Sequence, residues 1–139
     1  MEYSYKFRLY PTPAQEKQIQ RTFGCCRYVW NHYLAKRKTL YEIDGHTMNY
    51  YECAKDLTAL KKELSWLGEV DAIALQSSIR DLDTGFQNFF RRVKKGGKPG
   101  YPKFKRKKDH RKSYKSKRIG ANIKVVGKCV QLPKLGLVK

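Results

Sequence analysis

Residues 2–9 alternate without a break: Tyr3, Tyr5, Phe7 and Leu9 fall on one side, and Glu2, Ser4, Lys6 and Arg8 on the other. A period of two rich in aromatic residues predicts a half-buried strand, with the rings in a core and Lys6 and Arg8 on the open face. Tyr10-Pro11 ends it. Thr12-Pro13-Ala14-Gln15 then supplies an N-cap, a proline at the first helical position and a Gln at N3, the pattern of a capping box. In the helix that follows, Ile19, Phe23, Cys26, Trp30, Tyr33/Leu34 and Leu40/Tyr41 recur at steps of three and four, one apolar stripe that places Phe23 and Trp30 in a core. Lys17, Arg21, Lys36 and Lys38 lie opposite, and Asp44-Gly45-His46 closes the helix, with His46 a turn residue.

A second helix is predicted over 49–64, with Cys53, Leu57, Leu60 and Leu64 on its stripe and Asn49 or Thr47 as cap. Ser65-Trp66-Leu67-Gly68 interrupts. A third starts near Val70-Asp71 and carries Ala72, Leu75, Ile79, Leu82, Phe86, Phe89/Phe90 and Val93. Three consecutive amphipathic helices bury one another's stripes in a bundle. Gly96-Gly97-Lys98-Pro99-Gly100-Tyr101-Pro102 cannot continue a helix and reads as an extended loop. Short strands are expected over 119–126 and 129–132, joined at Val126-Gly127-Lys128-Cys129, and a further strand begins at Leu135. A sequence that stops inside an apolar strand suggests truncation. A lone N-terminal strand is not stable in water, so it is expected to pair with the C-terminal strands in a small sheet or partial barrel into which the helices are inserted.

At 139 residues the chain suits one domain. The charge changes the picture more than the size does. Of the formal net charge of +19, +14 comes from residues 91–118, where fifteen Lys/Arg face the single acid Asp109. With Tyr101, Phe104 and Tyr114 inside it, such a stretch requires a polyanion, and nucleic acid is the usual one. No apolar run approaches the roughly 20 residues of a membrane span, and the N-terminus has no signal-peptide pattern. A cytoplasmic, nucleic-acid-facing protein with neither membrane nor small-molecule partner is the expectation. Cys25, Cys26, Cys53 and Cys129 form no C-x-x-C pair, and Cys25 and Cys26 point about 100° apart on a helix. They read as inert thiols, with no metal site and no cofactor.

The order of several motifs is specific. Tyr5-Lys6-Phe7-Arg8-Leu9-Tyr10-Pro11-Thr12-Pro13-x-Gln15 leads into Phe23-Gly24-x-x-Arg27-Tyr28-Val29-Trp30-Asn31. Leu75-Gln76, Arg80-Asp81-Leu82-Asp83 and Phe86-x-Asn88-Phe89-Phe90 come next, then Gly100-Tyr101-Pro102-Lys103-Phe104-Lys105 and Leu132-Pro133-Lys134-Leu135-Gly136. Together they resemble the N-terminal third of the OrfB/TnpB-type proteins of insertion sequences, transposon-encoded RNA-guided DNA endonucleases related to the single-effector type V CRISPR nucleases. The resemblance implies an α+β fold, a three-helix recognition bundle inserted into a small antiparallel wedge-type β-barrel made by the N-terminal and C-terminal strands. The corresponding divisions are 1–10 (first wedge strand), 11–95 (recognition lobe), 96–118 (basic loop) and 119–139 (remaining wedge strands). The family's helix-turn-helix label is not required by long helices joined through loops. In the family, cleavage belongs to a RuvC-like domain with three metal-binding carboxylates and a zinc ribbon of C-x-x-C pairs, both downstream of this region. This chain is therefore expected to bind without cutting and to be no enzyme by itself.

Candidate binding residues follow from both lines. The basic segment places Tyr101 and Phe104 among Lys103, Lys105, Arg106, Lys107, Lys108, Arg111, Lys112 and Lys115, combining stacking surfaces with phosphate-neutralising charge; the resemblance makes guide-type RNA its ligand. Lys6 and Arg8 add to the same groove. Gln76 lies one step off the third helix's stripe beside Ser77 and Arg80, and its amide can pair bidentately with adenine. The resemblance gives it, with Asn49 or Tyr50, a part in reading a short A/T-rich motif in target DNA. Arg27 and Asn31 fit either structural caps or RNA contacts. Asp81 and Asp83 read as surface partners of Arg80 or other cations at helical spacing. Two further readings stay open: a repurposed DNA-binding repressor, and a basic structural RNA-binding protein.

Overall fold

A computed structural model describes residues 4–97, 100–107, 113–119 and 122–139. Helix α1 runs Pro13–Asp44. Thr12 caps it: its hydroxyl accepts from Gln15 N–H, and the Gln15 side chain accepts from Thr12 N–H at 2.9 Å, a reciprocal box that satisfies two orphan donors. Gly45 ends the helix at φ 69°, a left-handed position that glycine occupies without strain. Helix α2, Tyr50–Glu63, is capped by the Asn49 side chain. A 3₁₀ turn, Ser65–Glu69, connects to α3, Ala72–Lys94, where the Asp71 carboxylate accepts from Ile73 N–H.

The core lies chiefly between α1 and α3 and is closed by α2 and the 3₁₀ turn, with Val29, Tyr33, Cys53, Leu67, Leu75, Ile79 and Leu82 fully enclosed. Ala74, Ser77 and Ser78 are small and buried where α3 meets α1, and Ser78 Oγ donates to the Cys26 carbonyl at 3.0 Å. The α1 stripe shares Ile19, Tyr33 and Leu34 with the one read from the sequence, but between them it runs through Thr22, Cys25 and Val29, with Cys26 and Trp30 packed against its edge. Thr22 can be buried because its hydroxyl donates to the Gln18 carbonyl one turn back, at 2.9 Å. Phe23 and Trp30 are half-buried, Trp30 against the edge of the core, and both meet the basic segment.

Asp83 also departs from its expected surface role. It is buried and accepts from Arg37 Nη1 at 3.1 Å and Gln87 Nε2 at 2.8 Å, while the Arg37 guanidinium lies 4.2 Å from the Phe86 ring centroid. A helical stripe read alone cannot distinguish this pair, because each charge interrupts a different helix and only tertiary packing joins them.

Three strands, β1 (Lys124–Val126), β2 (Cys129–Leu132) and β3 (Gly136–Val138), form an open antiparallel meander. The β1–β2 hairpin turns at Gly127, φ 59°, with Val126 paired to Cys129. The expected barrel is not found: three strands of three or four residues cannot close on themselves. Nor do residues 4–10 form the expected strand. Tyr5 and Phe7 are 75% and 59% exposed rather than in a core, and their rings stack at 6.2 Å. The physical reason is pairing: the arm's described backbone gains one bond to the sheet, Tyr10 N–H to the Lys139 carbonyl at 2.6 Å, too little for a ladder. Gln15 completes the docking, its Nε2 donating to the carbonyls of Leu137 at 2.6 Å and Leu135 at 3.3 Å.

Candidate nucleic-acid interface

The basic segment is strapped across the helices by its backbone. Trp30 Nε1 donates to the Lys103 carbonyl at 2.8 Å. The next residue, Asn31, accepts from Lys105 N–H at 2.8 Å and donates to the Lys105 carbonyl at 3.0 Å, using both ends of its amide as a neighbouring strand would. Gly85 on α3 makes room for Pro102, whose Cγ lies 3.4 Å from where a Gly85 Cβ would stand. Tyr101 packs edge-on against Phe86 and Phe89 at 5.4 and 5.1 Å. Arg27 and Asn31 both line a surface groove, and Asn31 is in addition a clamp on the strap.

Residues 113–119 return along the same pair of helices. Tyr114 meets Phe23 edge-on at 6.0 Å, and burial pushes its phenol up to about 12. Ser116 Oγ donates to the Asp71 carboxylate, and Lys115 pairs with Asp81 at 3.2 Å. Beneath them, burial pushes the Cys26 thiol up to about 12, so it is protonated and unreactive at neutral pH. The strap consequently turns main chain and two aromatic rings, Tyr101 and Tyr114, towards the helices and leaves Lys103, Lys105, Arg106 and Lys107 exposed. Lys105 still touches α1, its Nζ 4.1 Å from the Trp30 ring centroid. Phe104 stands exposed among these cations.

The remaining candidates occupy separate elements. Gln76 and Arg80 are exposed one turn apart on α3, and the Arg80 guanidinium covers the Tyr50 ring at 3.7 Å, so α2 and α3 share one polar-aromatic patch. Asn49 lies at the start of α2 with its carbonyl engaged as the cap. Lys6 and Arg8 lie on the arm near the sheet, Arg8 5.8 Å from the Tyr10 ring centroid. Lys108, Arg111 and Lys112 fall outside the described residues. His46, read as a turn residue, faces Glu52 at 2.7 Å.

Sequence reasoning missed the groove beside the 3₁₀ turn, lined by Arg21, Arg27, Tyr28, His32, Trp66 and Glu69 among others. Arg27 and Asn31 in its wall read as caps or RNA contacts, but the rest comes from the flank of α1 and from a turn read as a break, and the one-turn spacing of Tyr28 and His32 was the remaining signal. Among the described residues no three His, Cys, Asp or Glu side chains stand together as a metal site, and no helix is long and apolar enough to cross a membrane.

Comparison with known proteins adds a lineage to this geometry. Residues 1–46 match the helix-turn-helix domain of the OrfB/IS605 type, a stretch that holds the arm and α1. A Streptomyces pristinaespiralis protein named as an RNA-guided DNA endonuclease is 38% identical over 112 residues, which cover 79% of this chain and 27% of that one. Escherichia coli K12 InsQ, named likewise, is 32% identical over 75% of this chain and 25% of its own length. The Salmonella dublin virulence protein VsdF is 33% identical over 73% of this chain and 91% of its own length. The chain therefore spans about a quarter of the endonuclease-named relatives and most of VsdF.

Proposed function

Because the chain belongs to the OrfB family of insertion-sequence proteins, we propose that it serves as the nucleic-acid-binding N-terminal module of a transposon-associated, RNA-guided DNA endonuclease. The strap carries the reading. Its backbone is fixed to α1 by Trp30 and Asn31 while Lys103, Arg106 and Lys107 are exposed around Phe104 and Lys105 lies exposed over the Trp30 ring. Holding the cations in place before the ligand arrives reduces the entropy lost on binding, so a strand's phosphates meet a prepared row of charge. In this reading the strap takes the guide-type RNA, and the patch of Gln76, Arg80 and Tyr50 faces target DNA.

Cleavage is assigned elsewhere than these residues. Asp56, Asp71, Asp81 and Asp83 are committed to Lys36 and Tyr33, to Ser116, to Lys115, and to Arg37 and Gln87 respectively, as ordinary structural acids. A two-metal nuclease needs carboxylates that converge instead. Sequencing the nucleic acid that co-purifies with the chain tests the reading: RNA from an insertion-sequence end is expected, and ribosomal RNA would overturn it in favour of a structural RNA-binder. On the DNA side, Gln76→Ala relaxes preference for a short A/T-rich motif and leaves non-specific affinity unchanged. An equal loss on all sequences refutes that role.

A further inference from the structure

The groove between α1 and the 3₁₀ turn has an open volume of about 710 Å³ and stands apart from the Gln76 patch. Two large aromatic side chains meet in it: Trp66 is 41% exposed, and its ring stands edge-on to Tyr28 at 5.0 Å. His32 stacks on Tyr28 at 5.7 Å with 18° between the planes. Burial and the Lys36 ammonium push the His32 imidazole below its ordinary range, which keeps it a neutral ring at pH 7. Arg21 and Arg27 supply the positive rim, and the Glu69 carboxylate is the acid in the lining. The walls are held fast, because Gln18 Nε2 donates to the Glu69 carbonyl at 2.7 Å, tying the 3₁₀ turn to α1.

The groove is also joined to the strap. Asn31 lines it and, with the same side chain, clamps the Lys105 backbone. A strand whose phosphates follow the exposed lysines of the strap therefore passes the groove mouth. We propose that the groove is a base-binding site for a single-stranded stretch of nucleic acid: one unpaired base inserts against Tyr28 and Trp66, its phosphates meet Arg21 and Arg27, and Glu69 accepts from an N–H group on its edge. Duplex cannot use the site, since its bases present no free face. Glu69 disfavours a bare phosphate in the groove and so sets which end of the nucleotide enters. The proposal rests on the strap reading for the course of the strand, and the two fail separately.

The test uses the full chain and fluorescence anisotropy with labelled 12-nucleotide single strands, one of uridine and one of thymidine, beside a 12-base-pair duplex. Trp66→Ala removes the stacking face and is expected to weaken single-strand binding about tenfold. Gly24→Leu adds bulk to the groove and removes none of its rings; Gly24 is helical, and its added Cβ meets Arg27 Nη2 at an ordinary 3.8 Å. It is expected to give a similar loss with an unchanged melting temperature, whereas Trp66→Phe retains most of the affinity. The larger loss of the two strands, uridine or thymidine, identifies RNA or DNA as the ligand. Single-strand affinity equal to the parent's in both Trp66→Ala and Gly24→Leu overturns the proposal, as does an equal loss on duplex. The phosphate reading is tested apart from this, by the salt dependence of the parent.

Discussion

Replacing Asp83 by Ala leaves the Arg37 guanidinium inside the protein with its carboxylate partner gone. Arg37 and Asp83 side chains are only 5% and 10% exposed, and the Arg37 Nε is buried with no acceptor among the described residues. Solvent therefore cannot take over for the lost partner. Breaking a buried pair from one side costs about 3–5 kcal/mol, which for a domain of this size lowers Tm by roughly 10–15 °C. Arg37→Met with Asp83→Leu removes both charges, keeps an unbranched apolar stem against Phe86, and is expected to recover at least about 2 kcal/mol of the loss. Urea unfolding followed by circular dichroism on the parent, Arg37→Met, Asp83→Leu and the double variant gives the coupling energy directly. If the double variant loses the sum of the single losses, the two side chains do not act as a pair and the reasoning fails.

Two other outcomes follow from single side chains. At Asp56, burial pushes the carboxyl up but is outweighed by hydrogen bonds from the Lys36 ammonium and the Tyr33 hydroxyl, leaving it below its ordinary 3.8. The folded state therefore favours the ionised form: its stabilising contribution is complete above that ordinary value and fades as pH falls through the lowered folded one. Asp56→Asn should flatten the acid limb of a stability-against-pH curve below pH 5, and superimposable limbs would count against the assignment. Asn31→Ala removes both clamps on Lys105, about 1–2 kcal/mol of local stability, so exchange of the Lys105 amide should quicken roughly tenfold with little change in Tm. Unaltered protection at Lys105 would mean that the strap is held by something else.

Helix ends were legible because capping chemistry is local. Thr12, Asn49, Asp71 and Gly45 each act within three or four residues of their own position. Strand pairing is not local, and this is where the sequence misled. The alternation through Tyr5 and Phe7 is real, yet a strand exists only where a neighbour supplies its hydrogen bonds, and the described arm has one. The phase of α1 slipped for a related reason. Two faces of that helix are covered, one by α3 and one by the strap, so Phe23 and Trp30 lie at the margin, Trp30 still packed against the core, while Thr22, held by its own turn, is fully buried. Asp83 and the Trp66 groove were hidden because both are made by residues far apart in sequence. The charge concentration in the strap was plain from composition; its anchoring through Asn31 and Trp30 was not, since nothing local distinguishes a clamping amide from a solvated one.

The most direct measurement is the slope of log K against log[salt] for single-stranded RNA, compared between the parent and a Lys103→Gln, Lys105→Gln, Lys107→Gln triple variant. Each lysine that neutralises a phosphate on a single strand contributes about −0.7 to the slope. The parent should therefore show a clearly negative slope, and the triple variant a slope shallower by about 2. A parent slope near zero, or one that the three substitutions leave unchanged, would contradict a phosphate-binding strap.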